Sequence, residues 1–338
     1  MTIRPTAKKP TVRDVAAAAE VSVATVSRVL AGAPKAVTDS TQRRVLDAAA
    51  RLGYEVNVAA KSLATGRHGN VAVLVPDLGN QHFTSVVQSV IHASNDVGMH
   101  VFVGDSLNSP ELEVALATEM LLRSDGLIMC SPRSSDEGVR AILDTGKPIV
   151  TVNRRFKSSG RTASVQTDAV DATTQIVDSL LDLGHRSFAF VVAQSGSQQV
   201  SMRWEVVHNR TAAAGGTAVH IALPEPLGEV TPEVRAAVDR GCTALICAND
   251  VTAAAVIYAV SEMGLRVPGD VSVTGFDDTP LARWVTPRLT TARMHEEQLG
   301  RAAWEAMTQL LLPNPVRADR IFHADVVFRD SAGPAPRH

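Results

Sequence analysis

From residue 71 to residue 294 the chain repeats one pattern: a short β-prone run, a stretch with helical spacing, then another short run. The β-prone runs fall at 71–75, 100–104, 126–130, 149–152, 164–167, 188–192, 218–222, 244–248, 271–275 and 290–294. Amphipathic helices of ordinary length fit between most of them. Strands that alternate with helices pair in parallel, and their sheets are covered on both faces. The pattern therefore predicts an α/β fold with open parallel sheets, whose ligands bind beyond the carboxyl ends of the strands. At 338 residues the chain is too long for one core, so two or three folding units are expected.

Composition narrows the function classes. Hydrophobic residues make up 45% of the chain and charged residues 20%, an ordinary globular balance. No apolar run approaches the roughly 20 residues that span a bilayer. The basic N-terminal residues are not followed by an apolar segment of the kind that marks secretion, so a cytoplasmic protein without membrane contact is expected. Cys130, Cys242 and Cys247 sit in apolar stretches without metal-ligand spacing and read as buried, reduced thiols. The histidines are scattered, and the glycine-rich fingerprints GxGxxG, GxxxxGK[ST] and GxSxG are missing. No cofactor, no metal and no enzymatic activity are expected.

The net charge of −2 hides an asymmetry. Residues 1–67 carry 11 basic and 5 acidic side chains, and the remainder carries 22 and 30. A basic head on an acidic body suggests that the head alone meets a polyanion. Within that head, Thr11 followed three residues later by Asp14 resembles a capping box. Val12, Val15, Ala16 and Ala19 then follow at helical spacing. The segment from Glu20 to Ser22 interrupts, with Ser22 as N-cap of a second helix over residues 23–30. Thr38 caps a third helix over residues 39–52, which Gly53 ends. Three short helices with a tight turn between the first two form a helix-turn-helix reader. Val26, Val29 and Leu30 share an inward face. Val23, Ala24, Thr25, Ser27 and Arg28 include the positions left for DNA: thymine methyls for the apolar pair, phosphates or base edges for the polar three.

The stretch TVRDVAAAAEVSVATVSRVLAG, with its VSxxTVSRVL string, resembles the DNA-binding head of the LacI family of regulators. So does the continuation RVLDAAARLGYEVNVAAKSLATGR. The resemblance implies a hinge that becomes helical on the operator, capped by Asn57 and formed by residues 58–64. Leu63 would be the wedge in the minor groove, with Ala60 and Lys61 beside it. Seven residues are too few to hold a helix alone in water. An exposed leucine gains by intercalating at a flexible pyrimidine–purine step.

The body also resembles this family, whose effector domain is built like periplasmic sugar-binding proteins. The matching stretches are VAVLVPDLGN, GKPIVTVNRR, DLGHRSFAFV, TALICANDVTA, LRVPGDVSVTGFDD and RLTTARM. By that resemblance residues 1–56 are the head, 57–69 the hinge, and 70–330 a two-lobed effector and dimerisation domain. Lobe one takes about 70–153 and 292–322, and lobe two 154–291 and 323–330. The tail 331–338 reads as disordered. Strand ends and the resemblance together nominate Asp77, Phe83, Ser131, Asn153, Arg154, Arg203, Asn249 and Asp277 as effector contacts. Carboxylates, amides, an arginine fork and an aromatic face suit a sugar or a small anion. Asp250 reads as a helix N-cap and Asp278 as a loop anchor. The sequence departs from the family pattern at His82, at Val206 and in a short 212–241 stretch. The implied protein is a repressor that binds a palindromic operator as a homodimer under the control of a sugar-like effector.

Overall fold

The computed structural model describes residues 10–30, 37–54, 66–156, 161–193, 197–224 and 227–336. The chain divides into two compact units, up to Gly69 and from Asn70 onward.

In the first unit three helices, Val12–Ala18, Val23–Leu30 and Asp39–Leu52, close over a small core. Val15, Val26, Val45 and Ala48 are fully buried there. The first helix starts on the anticipated capping box: Thr11 accepts from the Asp14 N–H, and the Asp14 carboxylate accepts from the Thr11 N–H. Glu20 makes the turn with a φ of 50°. Arg44 of the third helix braces that turn, donating to the Ala19 and Glu20 carbonyls. Gly53 ends the third helix at φ 62°, where a side chain would be strained.

The second unit holds two large parallel sheets. The first has the order β11–β5–β4–β3–β1–β2, using β1 Asn70–Val75, β2 His100–Asp105, β3 Leu127–Cys130, β4 Ile149–Val152, β5 Thr162–Asp168 and β11 Arg320–His323. The second has the order β7–β6–β8–β9, using β6 Ser187–Val192, β7 Thr217–Ala222, β8 Ala244–Cys247 and β9 Ser272–Thr274. Helices cover both faces. Residues of Gln81–Asn95 and Glu296–Leu310 join the core on one side of the first sheet, and residues of Pro110–Leu122 and Asp136–Leu143 join the core on the other. The second sheet is likewise enclosed by two cores, with Phe188, Phe190 and Phe276 fully buried in one of them. The inner strands β1, β3, β4, β6 and β8 read as near-continuous apolar runs because neither face meets water, whereas the edge strands β2, β7 and β11 are partly exposed.

The chain passes between the lobes three times: after β5, between Arg293 and Glu296, and between His323 and Asp325. The last two passages are flanked by β10 Thr291–Arg293 and β12 Asp325–Val327, which pair antiparallel in a ladder of their own. The predicted lobe boundary at 153/154 is corrected by this topology. β5 pairs with β4 and β11, so the first lobe runs on to Asp168. The polar stretch from Asn153 to Arg161 looks like a link between lobes but connects neighbouring parallel strands. Such connections usually contain a helix, and no helix is found among the described residues here.

The predicted disorder of the tail is corrected as well. Ser331 is fully buried; its hydroxyl accepts from Thr290 N–H and donates to the Val273 carbonyl. Gly333 donates to Ser272 Oγ and accepts from the His185–Ser272 pair, while Ala335 N–H reaches the Leu183 carbonyl. Composition alone made this proline- and glycine-rich stretch look unstructured; hydrogen bonds to residues distant in sequence hold it through Ala335.

Candidate functional site

The head presents one candidate surface. Val26 and Val29 of Val23–Leu30 face the core, so Val23, Ala24, Ser27 and Arg28 are exposed and Thr25 is half-buried. Ser22 caps this helix by accepting from the Thr25 N–H at 3.1 Å, and the two hydroxyls meet at 2.9 Å. Thr11 is also engaged in its own cap. Both cap residues stand at helix N-termini, where backbone N–H groups favour anions such as phosphate. Small side chains on the exposed face let its backbone approach a groove closely. Asn57, Ala60, Lys61 and Leu63 lie outside the described residues.

The body presents a cleft between its lobes, at the carboxyl ends of the strands. It encloses about 50 Å³ and opens to solvent. Of the expected contacts, Phe83, Ser131, Asn153, Arg203, Asn249 and Asp277 line it. Ser131, Asn153 and Asp277 have φ values of 43°, 57° and 112°, strained for residues with side chains. Each follows a strand, and such strain concentrates where a side chain is aimed at a ligand.

Two expected contacts lie elsewhere. Asp77 accepts from Gly79 N–H at 2.7 Å and shapes the turn before the Gln81–Asn95 helix. Arg154 donates to the Pro132 and Ser134 carbonyls and pairs with Asp136 at 2.8 Å, fixing the loop after β3. The N-cap role expected of Asp250 falls to Asn249, which also lines the cleft. Asn249 is the N-cap, accepting from Thr252 N–H at 2.8 Å, while Asp250 is fully buried behind it. Asp250 accepts from Thr279 N–H and from the Thr279 and Thr291 hydroxyls. Asp278 pairs with Arg293 and Arg329, which anchors its loop.

Asn80, Arg133, Ser197 and Gln199 also line the cleft. Sequence reasoning missed them because polar residues are common at helix starts for local reasons: Asn80 and Ser197 are N-caps and Gln199 lies in a first helical turn. His82, noted only as a departure from the family pattern, stands at the centre. Its Nδ1 lies 2.9 Å from Glu296 and 3.5 Å from Asp277, joining a first-lobe pair to the second lobe. Burial lowers the His82 pKa, but Asp277 and Glu296 outweigh it and the net direction is upward. Burial pushes Asp277 up to about 7, with His82 and Arg203 pulling against it. Arg203 is lowered to about 10, first by burial and then by Arg133, despite Asp277. Its guanidinium stacks on the Phe276 ring at 4.3 Å.

The His82, Asp277 and Glu296 donor atoms lie within 4.8 Å of one another, a spacing compatible with a divalent cation. Two features oppose one. The carboxylates favour the protonated form of His82, which sets a positive charge against them, and Arg203 places another beside Asp277. The arrangement is suited to holding a small polar ligand by hydrogen bonds from both lobes.

Comparison with known proteins agrees with both surfaces. Residues 11–57 match the family model for bacterial regulatory proteins of the lacI family, and residues 177–332 match a periplasmic binding protein-like domain. MalR of Streptomyces coelicolor, an HTH-type transcriptional regulator, is 31% identical over 338 residues, covering 96% of each chain. Catabolite control protein A of Priestia megaterium is 29% identical over 308 residues, 89% of this chain and 92% of its own. The lac repressor dimer bound to operator and the anti-inducer ONPF superimposes with a TM-score of 0.81 at 25% identity, covering 96% of this chain and 100% of that one. A helix-turn-helix head joined to a two-lobed ligand-binding body defines a DNA-binding transcriptional regulator. The chain belongs to the LacI family. Its relatives are regulators rather than enzymes, and no helix among the described residues is long and apolar enough to cross a membrane.

Proposed function

We propose that this protein is a cytoplasmic repressor that binds a palindromic operator as a homodimer and is controlled by a sugar-like effector in the interlobe cleft. The observation that carries the reading is the exposed face of Val23–Leu30, neutral to basic and lined by small side chains, within a head of net charge +6. Two such heads, related by two-fold symmetry, each read one half-site. Val23 and Ala24 meet thymine methyls, Ser27 and Thr25 meet phosphates or base edges, and Arg28 forks onto guanine or phosphate. Asn57, Ala60, Lys61 and Leu63 act in the hinge, with Leu63 wedged at the central step. Closure of the lobes on the effector changes the spacing of the first lobes, and with it the hinges. No catalytic step is assigned.

Selection of bound duplexes from a randomised pool by the purified full-length protein tests this directly. The expected result is an enriched palindrome with a pyrimidine–purine step at its centre, bound with an affinity that falls steeply with salt. Enrichment of a single, non-repeated half-site would refute the dimer. Absence of enrichment, with or without sugars in the selection buffer, would refute sequence-specific reading.

A further inference from the structure

The chargeable side chains lining the cleft are unevenly signed: His82, Arg133 and Arg203 against Asp277. Glu296 lies behind His82 and is already paired with its Nδ1. Arg203 commits Nε to the Gln199 carbonyl and Nη1 to the Ala248 carbonyl, which fixes the plane of the guanidinium. Among the described residues its Nη2 finds no hydrogen-bond acceptor, and His82 Nε2 finds no partner. One donor belongs to the second lobe and the other to the first.

The neutral residues lean the same way. Three asparagines line the cleft, and each uses its carbonyl oxygen to accept a backbone N–H: Asn80 from His82, Asn153 from Thr167, Asn249 from Thr252. An amide whose oxygen already accepts a backbone N–H has less acceptor capacity left for a ligand than donor capacity in its NH₂. The cleft is thus rich in donors and poor in acceptors. Two buried arginines also raise each other's energy, since burial and Arg133 both act against the charge on Arg203. A neutral polyol brings a donor with every hydroxyl and no charge, and would leave that repulsion in place. A carboxylate or phosphate brings only acceptors and negative charge, which relieves it.

We propose that the ligand of this cleft is a small hydroxylated molecule carrying an anionic group, carboxylate or phosphate, clamped between His82 Nε2 and Arg203 Nη2. The hydroxyls face Asp277 and the asparagine amides. This assignment rests on the reading of the cleft as the effector site and names its ligand class. It also gives His82 a specificity role: Glu296 and Asp277 favour the charged form of its ring, and it faces the anion from the lobe opposite Arg203.

The test is calorimetric titration of the full-length protein with matched ligands: D-glucose and D-galactose as neutral parents, D-gluconate and D-galacturonate as carboxylates, and D-glucose 6-phosphate. At least one anionic member should bind ten times or more tightly than its neutral parent. His82→Gln should reduce that preference about tenfold, the contribution of one charge-assisted hydrogen bond, while changing neutral-sugar binding less. Should His82→Gln fail to fold by circular dichroism, Arg203→Lys, which keeps the charge and loses the fork, should reduce the preference instead. Carboxylate against phosphate preference identifies the source of the anion. A neutral sugar that binds as tightly as its acid and its phosphate would overturn the anion assignment and leave the effector reading standing. Binding by neither class would overturn both.

Discussion

Single side chains divide sharply between those that hold the protein together and those that face outward. Arg28 is exposed at the end of its helix while Val26 and Val29 fill the core. Arg28→Ala should therefore lower operator affinity by about 1–3 kcal/mol in a fluorescence anisotropy titration and leave the thermal midpoint unchanged. Asp250 is the opposite case. Burial first, and then Asp277, push its carboxyl up to about 8, while hydrogen bonds from Thr291 and Thr279 pull it back. Near pH 7 a neutral amide is close to isosteric with the protonated acid. Asp250→Asn should cost about 1 kcal/mol or less in denaturant unfolding, whereas Asp250→Ala should cost about 2–4 kcal/mol by orphaning two threonines. The sequence made Asp277 and Arg203 legible because a strand end and a helix face announce them. Asp77 and Arg154 carry the same kind of polar group at the same kind of position. Only neighbours distant in sequence, Pro132 to Asp136 for Arg154, decide that they brace loops.

Secondary-structure elements were legible where their ends carry local chemistry. Thr11, Ser22, Thr38 and Gly53 mark helix boundaries in the head by capping, a matter of a few adjacent residues. β5 was recognisable as a strand, but its sheet was not, because pairing with β4 and β11 is set by contacts far along the chain. The tail was misread for the same reason. Its anchor includes His185, whose ring meets Thr243 Oγ1 at 2.9 Å and the Gly333 carbonyl at 3.0 Å. Burial lowers the His185 pKa below its ordinary 6.5, against a smaller opposing effect of the Gly333 carbonyl. A depressed histidine is neutral in the fold, so its contribution is complete above pH 6.5 and is lost as pH falls through the lowered value. Removal of residues 331–338 should destabilise the second lobe by about 2–5 kcal/mol by leaving buried polar groups unpaired. Hydrogen exchange should show the loss of protection in β9 and around Thr290, and not in the first sheet.

Across the whole molecule, charge is divided among three regions, with a basic head, an acidic body, and a cleft whose lining is basic again. The ionic contact between His82 and Asp277 couples the lobes to pH. His82 faces Asp277 and Glu296 with Arg203 nearby, and its folded pKa lies above 6.5. A raised value means that its contribution is complete below pH 6.5 and declines as pH rises through the folded pKa. Asp277, raised from 3.8 to about 7, acts with the same sign at lower pH, so folding becomes progressively less favourable from pH 3.8 to about 7. The thermal midpoint of the full chain should fall between pH 6.5 and pH 8.5, and His82→Gln should flatten that segment. An unchanged slope in the variant would place the titrating group elsewhere.

The antiparallel ladder of β10 and β12 gives the two lobes a particular suspension. Two of the three strands of chain between them are tied together in register, Thr291 to Val327 and Arg293 to Asp325, and the end of β5 is bonded to both, Thr167 Oγ1 donating to the Met294 carbonyl and the Asp168 carbonyl accepting from Ala324 N–H. Tied rods cannot slide lengthwise past each other without breaking the rungs, but they can twist as one ribbon. Lobe motion is therefore steered into torsion about the ribbon, with the first passage bonded along it. A small turn of the ribbon near the cleft becomes a larger displacement at the far edge of the first sheet, as a key turns a bolt.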